Sequence, residues 1–462
     1  MKDLTQGPIA RHLLGMAAFI GFGMLVQTLY YLVDLYFVAG IGKEAIAGVG
    51  GAGNAMFIVI GLTQILGIGT VTLISHAVGR DDRRDATLVF NQSLALAATI
   101  SGLMLLAGYA LAGPYMESIG ADAGTTAAGT TYLHWFLPGM ALQFALIAMS
   151  SALRGTGIVR PTMVVQVLTV ALNAALAPVL IAGWGTGRPL GVLGAGLASS
   201  IAIAAGVVML AWYFSRLEKY VRLDLSLVRP QLATWWRMLR IGLPAGGEFA
   251  LMFTYVAVIY WAIRDFGAGA QAGFGIGSRV MQSLFMPVMA IAFAASPVAG
   301  QNFGARHAKR VRETFRIATI LSVGSMVLLT LASQLGAERM VGAFSTDPRV
   351  IAIGAEYLRL VSLSFVANGV IFACSSLFQG LGNTLPALAS SASRLVTFVL
   401  PVIWLSVQPW FEIVHVWYLS IATVALQAVA SYWLLRRQLD ERLRFGASAA
   451  GGAPPPGARH GL

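Results

Sequence analysis

The sequence predicts an all-α polytopic membrane protein, with twelve transmembrane helices in two six-helix lobes related by a pseudo-twofold along the membrane normal. Three observations predict it. Of the 462 residues, 57% are hydrophobic and only 11% charged, with a mean hydropathy of +0.75; a surface facing water needs about 25% charged residues. Apolar runs long enough to cross ~30 Å of hydrocarbon at ~1.5 Å per residue recur along the whole chain. A set of landmarks also repeats at one fixed offset of 225 residues.

Breaks of Gly, Pro and charge leave six apolar segments at 14–38, 45–78, 87–112, 126–151, 160–183 and 190–214. A second six follow at 238–263, 270–302, 313–335, 350–378, 385–407 and 411–435. In lipid each segment must satisfy its own backbone hydrogen bonds, so runs of this length are read as helices. The stretch from Met1 to Arg11 is short and polar, and no small-residue cleavage site follows the first run. That run is therefore expected to stay as a helix and not to be removed as a signal peptide. The organisation expected is an N-terminal lobe at 1–215, an inter-lobe linker at 216–237 containing Pro230, a C-terminal lobe at 238–436, and a tail at 437–462. The tail is rich in Gly, Ala and Pro and is expected to be disordered.

The loops orient the spans. One side carries most of the Lys and Arg, including Arg80, Arg83, Arg84, Arg154, Arg160, the run from Arg216 to Arg240, and the run from Arg306 to Arg316. The opposite loops hold only Lys43, Arg188, Arg264, Arg339 and Arg349. The basic side is read as cytoplasmic, with both termini on it, and the location expected is the cell inner (plasma) membrane. The net charge of +12 would suggest nucleic acid in a soluble protein. Here the basic residues sit in short links with no aromatic stacking platform, so nucleic acid is not expected as a partner. The only cysteine, Cys374, lies in an apolar segment, which rules out an intrachain disulfide.

At the fixed offset, Gly42–Gly50 aligns with Gly267–Gly275, Gly79 with Gly304, Ser150–Gly157 with Ser375–Gly382, and Pro161 with Pro386. Shared Gly and Ala content alone would not hold the gaps constant. Six spans per half is an even number, so the halves share one orientation, and two like bundles face to face form a midplane cavity able to open to either side.

Several strings at these positions resemble the multidrug and toxic compound extrusion (MATE) family: Val33-Asp34-Leu35-Tyr36-Phe37-Val38-Ala39-Gly40, Gly300-Gln301-Asn302-Phe303-Gly304-Ala305, and Leu153-Arg154-Gly155-Thr156-Gly157 with its repeat mate. The resemblance covers about residues 7–440. It implies twelve helices in two lobes and efflux of amphipathic, often cationic, compounds against a proton or sodium gradient.

Asp34 is the leading candidate for cation coupling. It lies in an apolar helix near its outer end with no basic residue one turn away. A carboxylate there is costly and marks a functional site by default, because desolvation disfavours its charged form; the bland alternative is an Asp that reaches the outer headgroups or caps a helix turn. The resemblance points to the same position as the family's helix 1 acid. The offset pairs Asp34 with Ile259, so coupling is expected to be lopsided toward the first half. Asn173 is the second coupling candidate, either bonding Asp34 or making a helix–helix contact. The resemblance implies an Asp four residues further on, where this chain has Ala177. It also implies an Asp in helix 10, where Asn368 stands, with Gln143 as its repeat mate. The missing carboxylates favour protons over sodium.

Glu248, four residues after Pro244, is read as a gate or coupling residue, or as a helix-start carboxylate favoured by the helix dipole. Arg279, with Arg359 and Arg394, is expected to pair with Glu356, to snorkel, or to hold anionic headgroups; Arg279, Asn368 and Gln143 are the substrate-cavity candidates. His134 is read as a structural contact. The resemblance also implies a helix 1 proline where Phe19 stands. No phosphate-binding glycine loop or His/Cys metal cluster is present, so no enzyme activity, cofactor or metal is expected, and the energy source is the ion gradient. The reading is proton antiport of amphipathic organic cations by a membrane-embedded monomer, with sodium as the alternative ion. Rival readings are a flippase of a lipid-linked precursor and a non-transporting receptor or scaffold.

Overall fold

The computed structural model describes residues 2–445, with side chains for all of these except 30–32, 34 and 35. Fourteen α-helices follow in order: α1 Ile9–Ala39, α2 Lys43–Gly53, α3 Ala55–Gly79, α4 Arg83–Ile119, α5 Ala123–Gly155, α6 Arg160–Ile181, α7 Val192–Arg216, α8 Leu232–Ala262, α9 Ala268–Gly304, α10 Ala308–Gly342, α11 Pro348–Ser362, α12 Phe365–Gly380, α13 Leu385–Ser406 and α14 Ile413–Arg442. Consecutive α2 and α3 form one span over Lys43–Gly79, and α11 with α12 form a pair bent by 59°. Counting that pair once, the described residues hold twelve candidate spans. They coincide with the twelve apolar runs, because each run ends where charge, Gly or Pro makes further burial in lipid costly.

Two boundaries differ from expectation. The second half starts earlier, since α8 begins at Leu232 inside the expected linker. Order also persists past 436: α14 runs to Arg442, Arg437 pairs with Glu441 at 2.8 Å, and Leu443 is buried. Residues 446–462 of the expected tail lie outside the described residues. The linker itself is clipped down by two buried amides on α4. Asn91 donates to the Arg222 carbonyl and accepts from the Asp224 amide, while Gln92 donates to the Leu227 and Arg229 carbonyls and accepts from the Gln231 amide. Within it, the hydroxyl and amide of Ser226 hold the Asp224 carboxyl below the usual range.

One large apolar core fills the first half and takes in Met238, Ile241 and Ala245 of α8, and a second lies within the second half. The halves meet through an exchanged pair of contacts: α3 packs on α8, and its repeat counterpart α9 packs on α1. Where these helices end, the repeat landmarks touch each other. His76 donates through Nε2 to the Gly380 carbonyl at 2.7 Å, and Gln301 donates to the Gly155 carbonyl at 2.9 Å. His76 and Gln301 stand 225 residues apart, as do Gly155 and Gly380, so the two bonds are related by the pseudo-twofold. Gly79 and Gly304, the same offset apart, are required at the crossing: a Cβ on Gly79 would meet the Gln301 carbonyl, and one on Gly304 the His76 carbonyl.

An N-terminal strap completes this junction. The Lys2 amide bonds the Thr156 carbonyl at 2.9 Å, and the Leu4 amide donates to Gln301 Oε1 at 3.0 Å. Asn302 donates to the Leu4 carbonyl, Arg310 donates to the Gly7 carbonyl, and Leu4 is fully buried. Arg237 on α8 adds a two-pronged contact to Asp85 on α4. All of this lies at the basic end of the molecule. Away from the basic end, among the described residues, the joins between the halves thin to a long contact from Thr28 Oγ1 on α1 to Met286 Sδ on α9 at 3.9 Å and a ring contact between Phe57 and Phe253 at 4.7 Å. The structure is closed at the basic end.

Candidate functional site

The backbone of α1 carries Asp34 within its last two turns, and the Asp34 side chain lies outside the described residues. Asn173 is fully buried on α6. Its Nδ2 donates to Ser199 Oγ at 3.4 Å, and among the described residues its Oδ1 has no partner. A buried carbonyl oxygen without a donor is unfavourable, so this position is more than a filler of apolar space.

Glu248 is not a helix-start residue. It sits sixteen residues into α8, about 24 Å along it at ~1.5 Å per residue, because the helix continues through Pro244 without ending there. The dipole reading therefore falls. The carboxylate accepts from Ser375 Oγ at 2.9 and 2.8 Å and from Ser391 Oγ at 3.4 Å, binding α8 to α12 and α13. No Lys or Arg forms an ion pair with it among the described residues. It is half-buried, and Met252, one turn on, is half exposed. The site can thus hold a negative charge on hydroxyl donors alone, accept a proton, or meet an incoming cation.

The other candidates do not converge on it. Asn368 donates to the Ser364 carbonyl at 3.1 Å and so ties the bend between α11 and α12, a structural duty. Gln143 is half-buried on α5. Arg279 is exposed eleven residues into α9 and has no ion pair among the described residues. Arg359 does not pair with Glu356; it bonds Glu338 at 2.9 Å, beside a cavity of about 600 Å³ on the outer edge of the second half, away from Glu248. Arg394, grouped with these arginines in the sequence, lies over the Tyr255 ring at 4.1 Å. The His134 carbonyl accepts from Tyr109, whose ring stacks on the imidazole at 5.6 Å.

Three features escaped the sequence reading: the Ser375 and Ser391 hydroxyls, the setting of Arg394, and the His76–Gln301 pair. Only the last left a signal, since the fixed offset carries His76 onto Gln301.

Comparison with known proteins decides the family. The MatE family model matches residues 20–179 and again 244–405, once per half. The chain belongs to the MatE family. This transporter fold was the expected one, and family membership sets aside enzyme, receptor and scaffold readings. Among similar proteins, the multidrug export protein MepA of Staphylococcus aureus is 24% identical over 452 residues, covering 95% of this chain and 98% of the relative. An FAD transporter of Shewanella oneidensis is 24% identical over 408 residues, covering 87% and 89%. The outward-facing conformation of a multidrug resistance MATE transporter of the MOP superfamily superposes with a TM-score of 0.88 at 23% identity, covering 96% of this chain and 98% of that one. A Pyrococcus furiosus MOP superfamily transporter, described as having a binding pocket of reverse polarity, gives 0.87 at 23% identity, covering 95% and 98%. The MatE transporter described here is thus a multi-pass membrane protein of the same two-lobed build.

Proposed function

We propose that this MatE transporter expels amphipathic organic cations from the cytoplasm by proton antiport, with the basic end cytoplasmic and the structure in its outward-facing state. The observation that carries this reading is Glu248, an acid deep in a span that is held by serine hydroxyls and, among the described residues, by no basic partner. An ionisable residue at membrane depth without a counter-ion is costly unless its charge is used. With Asp34 in the first half, each half then offers one acid. Protons arriving from outside neutralise the acids and release the cation; loss of those protons on the inner side restores affinity. A ligand shifts the two states only by its differential affinity for them, so proton and cargo must compete. Coupling through both halves replaces the lopsided arrangement expected from Asp34 alone. The missing acids at Ala177 and Asn368 favour protons over sodium, and the multidrug export relative supports a broad cationic cargo.

The test is Asp34→Asn and Glu248→Gln in inside-out vesicles, following dye transport driven by a pH gradient. Each variant is expected to lose at least tenfold in rate; unchanged transport in both removes the mechanism. The exposure of Arg279 favours a second reading, in which the cargo carries phosphate as in the FAD-transporting relative or a lipid-linked precursor. In that case FAD should compete with the dye, and Arg279→Gln should abolish the competition.

A further inference from the structure

Arg394, half-buried and nine residues into α13, has no carboxylate partner among the described residues. Its guanidinium rests on Tyr255, its Nη1 donates to Gln427 Oε1 at 3.5 Å, and its Nε is buried without a partner. Gln427, on α14 and 4% exposed, donates through Nε2 to Ser391 Oγ at 3.1 Å. Ser391 in turn donates to Glu248 at 3.4 Å. Chemistry fixes the direction of this chain. Arginine has donors only, so the Gln427 oxygen must face Arg394 and its NH2 must face Ser391. The Ser391 oxygen then accepts, and its proton is left for Glu248. Every donor from Arg394 onward points toward the carboxylate. Two half-buried charges of opposite sign, linked but not touching, suit a site in which one charge must remain free to meet a proton or a cation.

We propose that Arg394 is a positioning residue for Glu248. Through Gln427 and Ser391 it orients a one-way chain of donors onto the carboxylate, and its positive charge favours the deprotonated form that receives cargo. The inference rests on the reading of Glu248 as a coupling acid. The groups facing Glu248 are few. Arg394 is the only ionisable residue on α13, and α12 carries only Cys374. His76, the one ionisable residue of α3, is engaged with Gly380 at the basic end. On α8 itself, Arg237 and Arg240 lie two to three turns below, with Arg237 bonded to Asp85 on α4, and Tyr255 lies two turns above, bonded to Ser420 on α14.

The experiment measures ethidium binding to the purified full-length protein, by fluorescence, from pH 5 to 9. In Arg394→Gln, the pH of half-maximal binding should rise, because a positive charge linked to the carboxylate through Gln427 and Ser391 is lost. Gln427→Leu keeps the charge but cuts the chain, and should give a smaller rise. Arg394→Lys, which keeps a charge and a donor, should return the midpoint to within a few tenths of the wild-type value. Adding Glu248→Gln to Arg394→Gln should give the same curve as Glu248→Gln alone. If Glu248→Gln changes the profile but Arg394→Gln and Gln427→Leu leave the midpoint where it was, the inference is overturned while the Glu248 reading stands. If Glu248→Gln itself leaves the profile unchanged, the coupling reading fails first and this inference falls with it. Should Arg394→Gln fail to fold, Gln427→Leu decides alone.

Discussion

At the scale of single residues, the glycine pair at the crossing of α3 and α9 makes the sharpest structural demand. Gly304→Ala puts a methyl group against the His76 carbonyl, and overpacking of this kind costs about 1–3 kcal/mol. Gly102, on α4, has nothing within 4 Å of the added atom. There, Gly102→Ala should be neutral or gain about 0.5–1 kcal/mol from lower backbone entropy in the unfolded chain. Thermal unfolding in detergent should therefore lower the midpoint for Gly304→Ala and hold or raise it for Gly102→Ala; equal behaviour would mean that the crossing is looser than described. Residue-level legibility was uneven for a physical reason. Asp34 stands out because a charge interrupts an apolar run, which one-dimensional reading detects. Glu248 was misplaced because Pro244 looks like a helix start, whereas α8 had already run for three turns and carried on through it. The donors around Glu248 come from α12 and α13, more than a hundred residues away, and no spacing rule reaches them.

At the scale of elements, the spans were legible because twelve apolar runs with charged ends leave one economical arrangement in lipid. The strap was not. Lys2 to Gly7 reads as a short polar leader, yet Leu4 is fully buried between the two halves. Burying a leucine contributes about 1.5–3 kcal/mol, and about 1.4 kcal/mol is tenfold in an equilibrium. Leu4→Asp should therefore favour opening of the basic end at least tenfold. In a Cys374→Ser background, a probe introduced by Ser75→Cys, at a buried position beside Gly300, should react faster by that factor with a membrane-impermeant thiol reagent applied to inside-out vesicles. An unchanged rate would show that the strap does not hold the junction shut.

At the scale of the molecule, the fixed offset is the feature from which most else follows. It foretold two like halves, and the structure adds what the halves do with their symmetry. They exchange the bonds His76–Gly380 and Gln301–Gly155 at one end, and away from it the described residues add, as a hydrogen bond, only the long Thr28–Met286 contact. On the proposed antiport, two lobes joined in this way rock about that junction, and the acids within the spans sense which side is open. The sequence could not show which end was shut, since that depends on contacts between residues more than 140 positions apart. The direct test of proton antiport is ethidium flux in proteoliposomes of the purified protein under an imposed pH gradient, with and without sodium. The account predicts that the proton gradient alone drives transport and that a sodium gradient at equal pH does not. Transport driven by sodium and indifferent to the pH gradient would contradict it.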